Sequence, residues 1–277
     1  MMTLPAALTP DGTRYIALAS GERAPSPFYL RWLIPKLCGR SPLRWFAVGA
    51  TSSIGAAVGI GMLAPSLATG IAAALMFAGL PIVAYNLQAP ILVDMPALAL
   101  AVWAGVAGRH ELIWLAVLLA CLSGAAKESG PVFSAVFATS FWPLLALAPV
   151  AVRALMARTG PDPISRYRTV NTPEEHAWIL AHPFRAGWKY HRRKLFDGTV
   201  MLAPWGGALA GLANLDAWTI AALCLGYGQL AVATDSVRLY QWAAPMLIIA
   251  AVTAVPVAWL PVLVAATVWN PLAGDGC

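Results

Sequence analysis

Three groups of ionisable residues interrupt an otherwise apolar chain, and each is of a kind that moves protons or holds charge. The first is Asp11-Gly-Thr-Arg-Tyr15, which runs on through Pro25-Ser-Pro-Phe28 to Leu30-Arg-Trp-Leu-Ile-Pro35. It supplies a carboxylate, the cations Arg14 and Arg31, and the phenol of Tyr15. An acid where a membrane protein meets water can serve as a general base, a metal ligand or a solvated loop residue. The second is Asp94, set between Pro90 and Pro96 at the start of an apolar run. It reads equally as a functional acid or as a helix-start acid stabilised by the helix dipole. The third is Lys127-Glu128, either a self-compensating ion pair or part of a polar cavity shared with the other two. Histidine and cysteine offer less: His176, His182 and His191 are not at metal-binding spacing. Cys38, Cys121, Cys224 and Cys277 form neither a ligand set nor a disulfide framework.

The elements that must carry these groups are set by composition. Sixty per cent of residues are hydrophobic and 11% charged, with a mean hydropathy of +0.70. A soluble domain carries roughly 25% charge, so most of this chain is expected to face lipid. Long apolar runs without alternation imply helices instead of a barrel, because backbone groups in hydrocarbon must be satisfied within their own segment. The net charge of +6 fits anionic headgroups, and nucleic acid is not expected as a partner. Residues 1 to 30 lack an apolar core long enough for a secretory signal peptide.

The expected architecture is an all-α, polytopic transmembrane bundle of about eight spans, with seven the alternative count. Residues 1–44 form an N-terminal outer or interfacial segment, and 45–152 a five-span bundle. In order, its spans are 45 to 64, 67 to 87, 91 to 108, 112 to 126 and 132 to 152. Residues 153–198 form a basic loop and 199–277 the remaining spans. The loop holds nine of the eighteen Lys and Arg residues. Within it, Thr172 as N-cap, Pro173 and Glu175 predict a capped surface helix from Thr172 to Ala181. The stretch from Arg185 to Lys194 suits anionic headgroups. The positive-inside rule then places this loop in the cytoplasm and the Asp11 segment, Asp94 and Lys127-Glu128 together on the outer side of the plasma (inner) membrane.

An acid followed by an aromatic (Asp11, Tyr15) and then Arg31-Trp-Leu-Ile-Pro35 leading into a span resembles the first outer loop of GT-C-type glycosyltransferases. Those are multi-span enzymes that use polyprenyl-phosphate sugars. Asp94-Met-Pro96, Lys127-Glu128 and Asp235-Ser-Val-Arg238-Leu-Tyr240 ahead of Trp242 are similar in order to that superfamily. The resemblance implies that Asp11 is the catalytic base or metal ligand, with Asp94 as second acid. It implies that Lys127 and Arg238 hold the lipid-linked phosphate, with Arg14, Tyr15, Arg31, Glu128, Asp235 and Tyr240 around the substrate. A polyprenyl-phosphate sugar is the implied donor, and a divalent cation is compatible with the acids. Two other classes fit the composition: a transporter or channel lined by Asp94 and Lys127-Glu128, and a non-catalytic scaffold.

Overall fold

The computed structural model describes residues 9–25, 27–156, 160, 178, 181–192, 194, 197–231 and 240–270. All regular structure among them is helical, and none of the described residues forms a strand. The predicted surface helix from Thr172 to Ala181 lies almost wholly outside the described residues.

The Asp11 segment, expected as an outer loop, is a helix, α1 (Pro10–Ala19). Its start is specified locally: Thr9 Oγ1 accepts the Gly12 N–H at 3.1 Å, Pro10 occupies the first turn, and Asp11 sits where the dipole favours an acid. Its buried side includes Arg14, Tyr15 and Ala17. A 3₁₀ turn at Phe28–Leu30 and the short α2 (Leu33–Cys38) then lead to α3 (Pro42–Leu63). At 22 residues, α3 is roughly 33 Å long. It turns Gly49, Ser53, Ala56, Gly59 and Leu63 inward and leaves Leu43, Phe46, Ile54, Val58 and Met62 exposed.

The expected second span is two helices, α4 (Leu67–Ala78) and α5 (Pro81–Gln88), bent by 49°. Pro81 begins the second, and a Cβ on Gly79 at the bend would lie 2.8 Å from Val268. At the α3–α4 turn, Gly61 and Gly70 let the two backbones touch: a Cβ on Gly70 would meet the Gly61 carbonyl at 2.7 Å. The central helix is α6 (Asp94–Arg109), buried along most of its length. It runs parallel to α3, because Trp103 donates to the Gly55 carbonyl and Arg109 to the Leu63 carbonyl. The next helix, α7 (Ile113–Ala126), returns antiparallel and is pinned by Ser123 Oγ donating to the Ala97 carbonyl at 2.7 Å.

The expected fifth span does not cross in one piece. After α8 (Gly130–Phe137) the chain takes a left-handed residue, Thr139 (φ 50), and a 3₁₀ turn containing Pro143 (Trp142–Ala146). It then comes back as α9 (Leu147–Met156). Phe137 lies beside Gly105 and accepts from Arg109, whereas Val150 packs against Gly124 and Arg153 donates twice to the Tyr29 carbonyl, at 2.9 and 3.1 Å. Both ends of the hairpin therefore lie at the level of α1. The expectation that five crossings separate the Asp11 segment from the start of the basic loop is overturned: Arg153 and Gly160, whose N–H donates to Ala24 O, sit against the N-terminal segment.

Beyond it come α10 (Pro183–His191), α11 (Gly198–Met201), a 3₁₀ stretch kinked at Gly206 (Ala203–Ala213), and α12 (Ala217–Gly228). The run from Trp242 to Trp269 breaks at Val255-Pro256 into α13 (Ala244–Ala254) and α14 (Leu260–Val268). Among the described residues, one helix, α3, is alone long and apolar enough to cross a membrane, and the bent α4–α5 pair qualifies if taken as one span.

Candidate functional site

The N-terminal ends of α1, α3, α6 and α8 gather at one end of the molecule, and the ionisable groups gather with them. The α1 helix brings Tyr15 fully inside, against Phe28 (ring centroids 5.5 Å apart) and Trp45 (6.2 Å). Its first turn approaches the irregular segment leading into α6, since a Cβ on Gly12 would contact Ile91. Arg31, between the 3₁₀ turn and α2, reaches inward and donates from Nη1 to the Tyr15 hydroxyl at 2.9 Å. Its Nε and Nη2 grip both oxygens of Glu128, at 2.7 and 2.6 Å. A planar guanidinium matched to a carboxylate in this bidentate way fixes direction as well as distance. The Phe28 ring carries two cations, Arg14 at 4.7 Å and Arg31 at 5.1 Å.

The α7–α8 turn explains why neighbouring residues serve different partners. Lys127 is extended (φ −153, ψ 130), so its side chain and that of Glu128 diverge. Lys127 Nζ lies 2.5 Å from Asp94 Oδ1 and 4.8 Å above the Trp242 ring. Arg14 completes the set at 3.4 Å from Asp11 Oδ1. Three acids and three cations are thus paired, and all three acids stand at or just before helix starts, where the dipole favours negative charge.

Burial differs sharply among the pairs. The side chains of Asp94 and Lys127 are 3% and 4% exposed, whereas Glu128 is 29% and Asp11 19% exposed. Burial pushes the Glu128 carboxyl up, but the Arg31 guanidinium and its hydrogen bonds outweigh this and hold it below the usual carboxylate range. Burial lifts the Tyr15 phenol far above its ordinary value, with Arg31 opposing and Asp11 and Asp94 adding to the rise. Tyr15 is therefore a neutral hydrogen-bonding group across the physiological range and not a base. Arg31 stays charged: burial disfavours the cation, and Glu128 and Tyr15 together more than restore it.

Seven residues singled out from the sequence, Asp11, Arg14, Tyr15, Arg31, Asp94, Lys127 and Glu128, join this assembly. Asp94 and Lys127 are engaged with each other inside it, the geometry of a structural ion pair more than of an open acid and a free phosphate ligand. Asp11 is the acid with both solvent access and a long ion-pair contact. Tyr240 is occupied elsewhere, stacked on Tyr227 at 5.0 Å and donating to the Val200 carbonyl. Asp235 and Arg238 lie outside the described residues. Phe28, Trp45 and Trp242 were not legible as site residues, because aromatics are unremarkable in an apolar chain. Trp242 Nε1 and Ser129 Oγ are buried without a hydrogen-bond partner.

Beside the Arg31–Glu128 pair opens an apolar cavity of about 700 Å³, lined by Leu30, Trp32, Gly124, Val150, Arg153 and Met156 among others. Leu30 and Trp32 flank Arg31 in sequence, and Gly124 lies four residues before Glu128. Among the described residues no cluster of three or more His, Cys, Asp or Glu could hold a metal ion. Acids matched one to one with cations suit an ion-pair assembly better than a divalent-metal site. A scan against protein-family models and searches of curated proteins and of solved structures gave no match.

Proposed function

We propose that this protein is an integral membrane, GT-C-like glycosyltransferase that moves a sugar from a polyprenyl-phosphate donor to an acceptor. The observation that carries the reading is the convergence of motifs from Asp11 to Glu128 on one polar assembly near an apolar cavity of about 700 Å³. A multi-pass arrangement is supported by helices of alternating direction and by α3, of which only 33% of the most apolar window is buried. Its exposed row of Leu43, Phe46, Ile54, Val58 and Met62 suits lipid, whereas the apolar helix of a soluble core would be covered.

In this reaction Asp11 takes the proton of the acceptor hydroxyl as its oxygen bonds to the anomeric carbon. The bond from that carbon to the phosphate oxygen breaks, and the electron pair leaves with the lipid phosphate. Arg153, on the cavity wall and bonded to the neutral Tyr29 carbonyl, offsets the growing negative charge, while Arg31 stays committed to Glu128. Lys127 and Asp94 hold the α6–α7 end in register. A transporter built on Asp94 and Lys127 is less well supported, since a solute path needs these groups open and they are sealed against each other.

The test is transfer from labelled polyprenyl-phosphate hexoses and pentoses in membranes containing the protein. Asp11→Asn is expected to lower transfer by at least about 100-fold while the protein elutes and melts like the parent. Transfer that survives this change intact sinks the role of Asp11, and absence of transfer from every donor sinks the enzyme reading.

A further inference from the structure

We infer that α10 is an interfacial helix whose outer face binds the anionic phospholipid headgroups of the bilayer. This depends on the membrane reading and is independent of glycosyl transfer. Turning by ~100° per residue, α10 divides into two faces. Ala186, Gly187 and His191 are buried, while Phe184, Arg185, Trp188, Lys189 and Arg192 are exposed. Phe184 and Trp188 sit one turn apart and form an aromatic edge. Arg185, Lys189 and Arg192 form the adjoining cationic edge, continued by exposed Lys194. No acid occurs between Glu175 and Asp197, so the face has no internal counter-charge.

The buried face fixes where this helix lies. A Cβ on Gly187 would come within 2.4 Å of the Leu230 carbonyl and 2.5 Å of the Ala231 carbonyl, so only glycine permits the contact. Those carbonyls end the apolar segment that begins with α12, which runs from Trp218, packed on Phe141, to Gly226, packed on Tyr240. The α10 helix therefore lies over the end of an apolar helix, at the end of the molecule that carries Arg31 and Lys127. Aromatic rings beside cations at that level match the boundary between acyl chains and phosphates. Lys189 Nζ lies over the Trp178 and Tyr190 rings, at 5.1 and 5.7 Å, so further aromatic surface adjoins the cationic edge.

The experiment places a nitrobenzoxadiazole probe on Phe184→Cys, in full-length protein with Cys121, Cys224 and Cys277 changed to Ser. It compares nanodiscs of phosphatidylcholine with nanodiscs that also contain phosphatidylglycerol. A blue-shifted emission is expected with phosphatidylglycerol, weakened by high salt and by Arg185→Gln, Lys189→Gln and Arg192→Gln, each lowering local lipid association roughly fivefold. Charge reversal at the same three positions should leave elution unchanged and abolish the shift. Emission that ignores both lipid composition and these changes overturns the inference. So does a face that binds RNA and shows no lipid response. A lipid response without sugar transfer supports α10 as an interfacial helix and leaves the enzyme reading to fail by itself.

Discussion

The two ends of the helical bundle handle buried charge in different ways. At the end where α3, α6 and α8 finish, Arg109 spends its guanidinium on backbone: Nη1 donates to Leu63 O and Nε to Phe137 O, both at 3.1 Å. These are carbonyls at helix C-termini, left without intrahelical partners and at the negative end of the dipole. One cation closes two helix ends, and the arrangement is explained by structure alone. At the opposite end, where the same helices begin, the orphan groups are N–H donors and acids are favoured. Asp11, Asp94 and Glu128 collect there, and Arg14, Lys127 and Arg31 are drawn in to neutralise them. The contrast teaches that helix polarity sorts charge by sign. It also isolates what polarity does not require: the partial exposure kept by Glu128, whose partner Arg31 is flanked by cavity-lining Leu30 and Trp32, and by Asp11.

The contrast is broken most severely at the sealed pair. Lys127→Met leaves the Asp94 carboxylate buried without its partner and should cost about 3–5 kcal/mol in thermal unfolding of detergent-purified protein. Lys127→Met combined with Asp94→Leu should recover most of that. A single change costing under about 1 kcal/mol would show the pair to be more hydrated than its geometry implies.

Removing the other end's clamp is the next largest effect. Arg109→Ala strips two charge-assisted hydrogen bonds from helix C-termini and should lower stability by about 2–3 kcal/mol. Sugar transfer per folded molecule should not change. A selective loss of transfer would mean that the far end also takes part in function.

The pH dependence sharpens the comparison within the charged end. Glu128 has a folded-state pKa below its unfolded value, so its stabilisation is full above the unfolded carboxylate range and is lost as pH falls through the depressed folded value. Glu128→Gln should flatten that acid limb. Tyr15 runs the other way: with a raised folded-state pKa, its contribution is full below the phenol's ordinary value of about 10 and fades as pH climbs towards the folded value. Tyr15→Phe should remove this alkaline loss. Unfolding midpoints measured from acid to alkaline pH decide both, and identical limbs in parent and variants would deny the coupling.

The smallest effect belongs to the far end again. Asp216 caps α12 by accepting the Thr219 N–H at 2.6 Å, and Asp216→Ala should cost about 1 kcal/mol. A change several times larger would reveal that its electrostatic contact with Arg109 matters as much as the cap.

Much of the helical layout was legible because its signals are local. Ser41 and Pro42 start α3 and Lys127 ends α7, each within a few residues of where the apolar runs suggested, whereas the break at Gly79 and Pro81 fell inside what read as one span. The α1 helix escaped because ten residues with an acid and an arginine read as a loop until Tyr15 and Arg14 are known to be buried. The reversal between α8 and α9 escaped because hydropathy counts apolar length and is blind to direction. Residues 132 to 152 suffice for a crossing, and only the backbone at Thr139 with the packing of Val150 on Gly124 turns them into a hairpin. With that turn missed, Arg153 was assigned to the wrong end.

By itself the amino-acid sequence determined that the chain is helical and apolar and that a few acids and cations would have to find each other, since unpaired charge in such surroundings is costly. It also named the six that do, Asp11, Arg14, Arg31, Asp94, Lys127 and Glu128, together with Tyr15 beside them. Which acid took which cation was decided only by tertiary structure. Adjacent in sequence, Lys127 and Glu128 could have paired or turned together. The extended backbone between α7 and α8 sends one to Asp94 and the other to Arg31, across separations of 33 and 97 residues. Pairing of that kind depends on where helix ends meet in space, and no local preference of the chain encodes it.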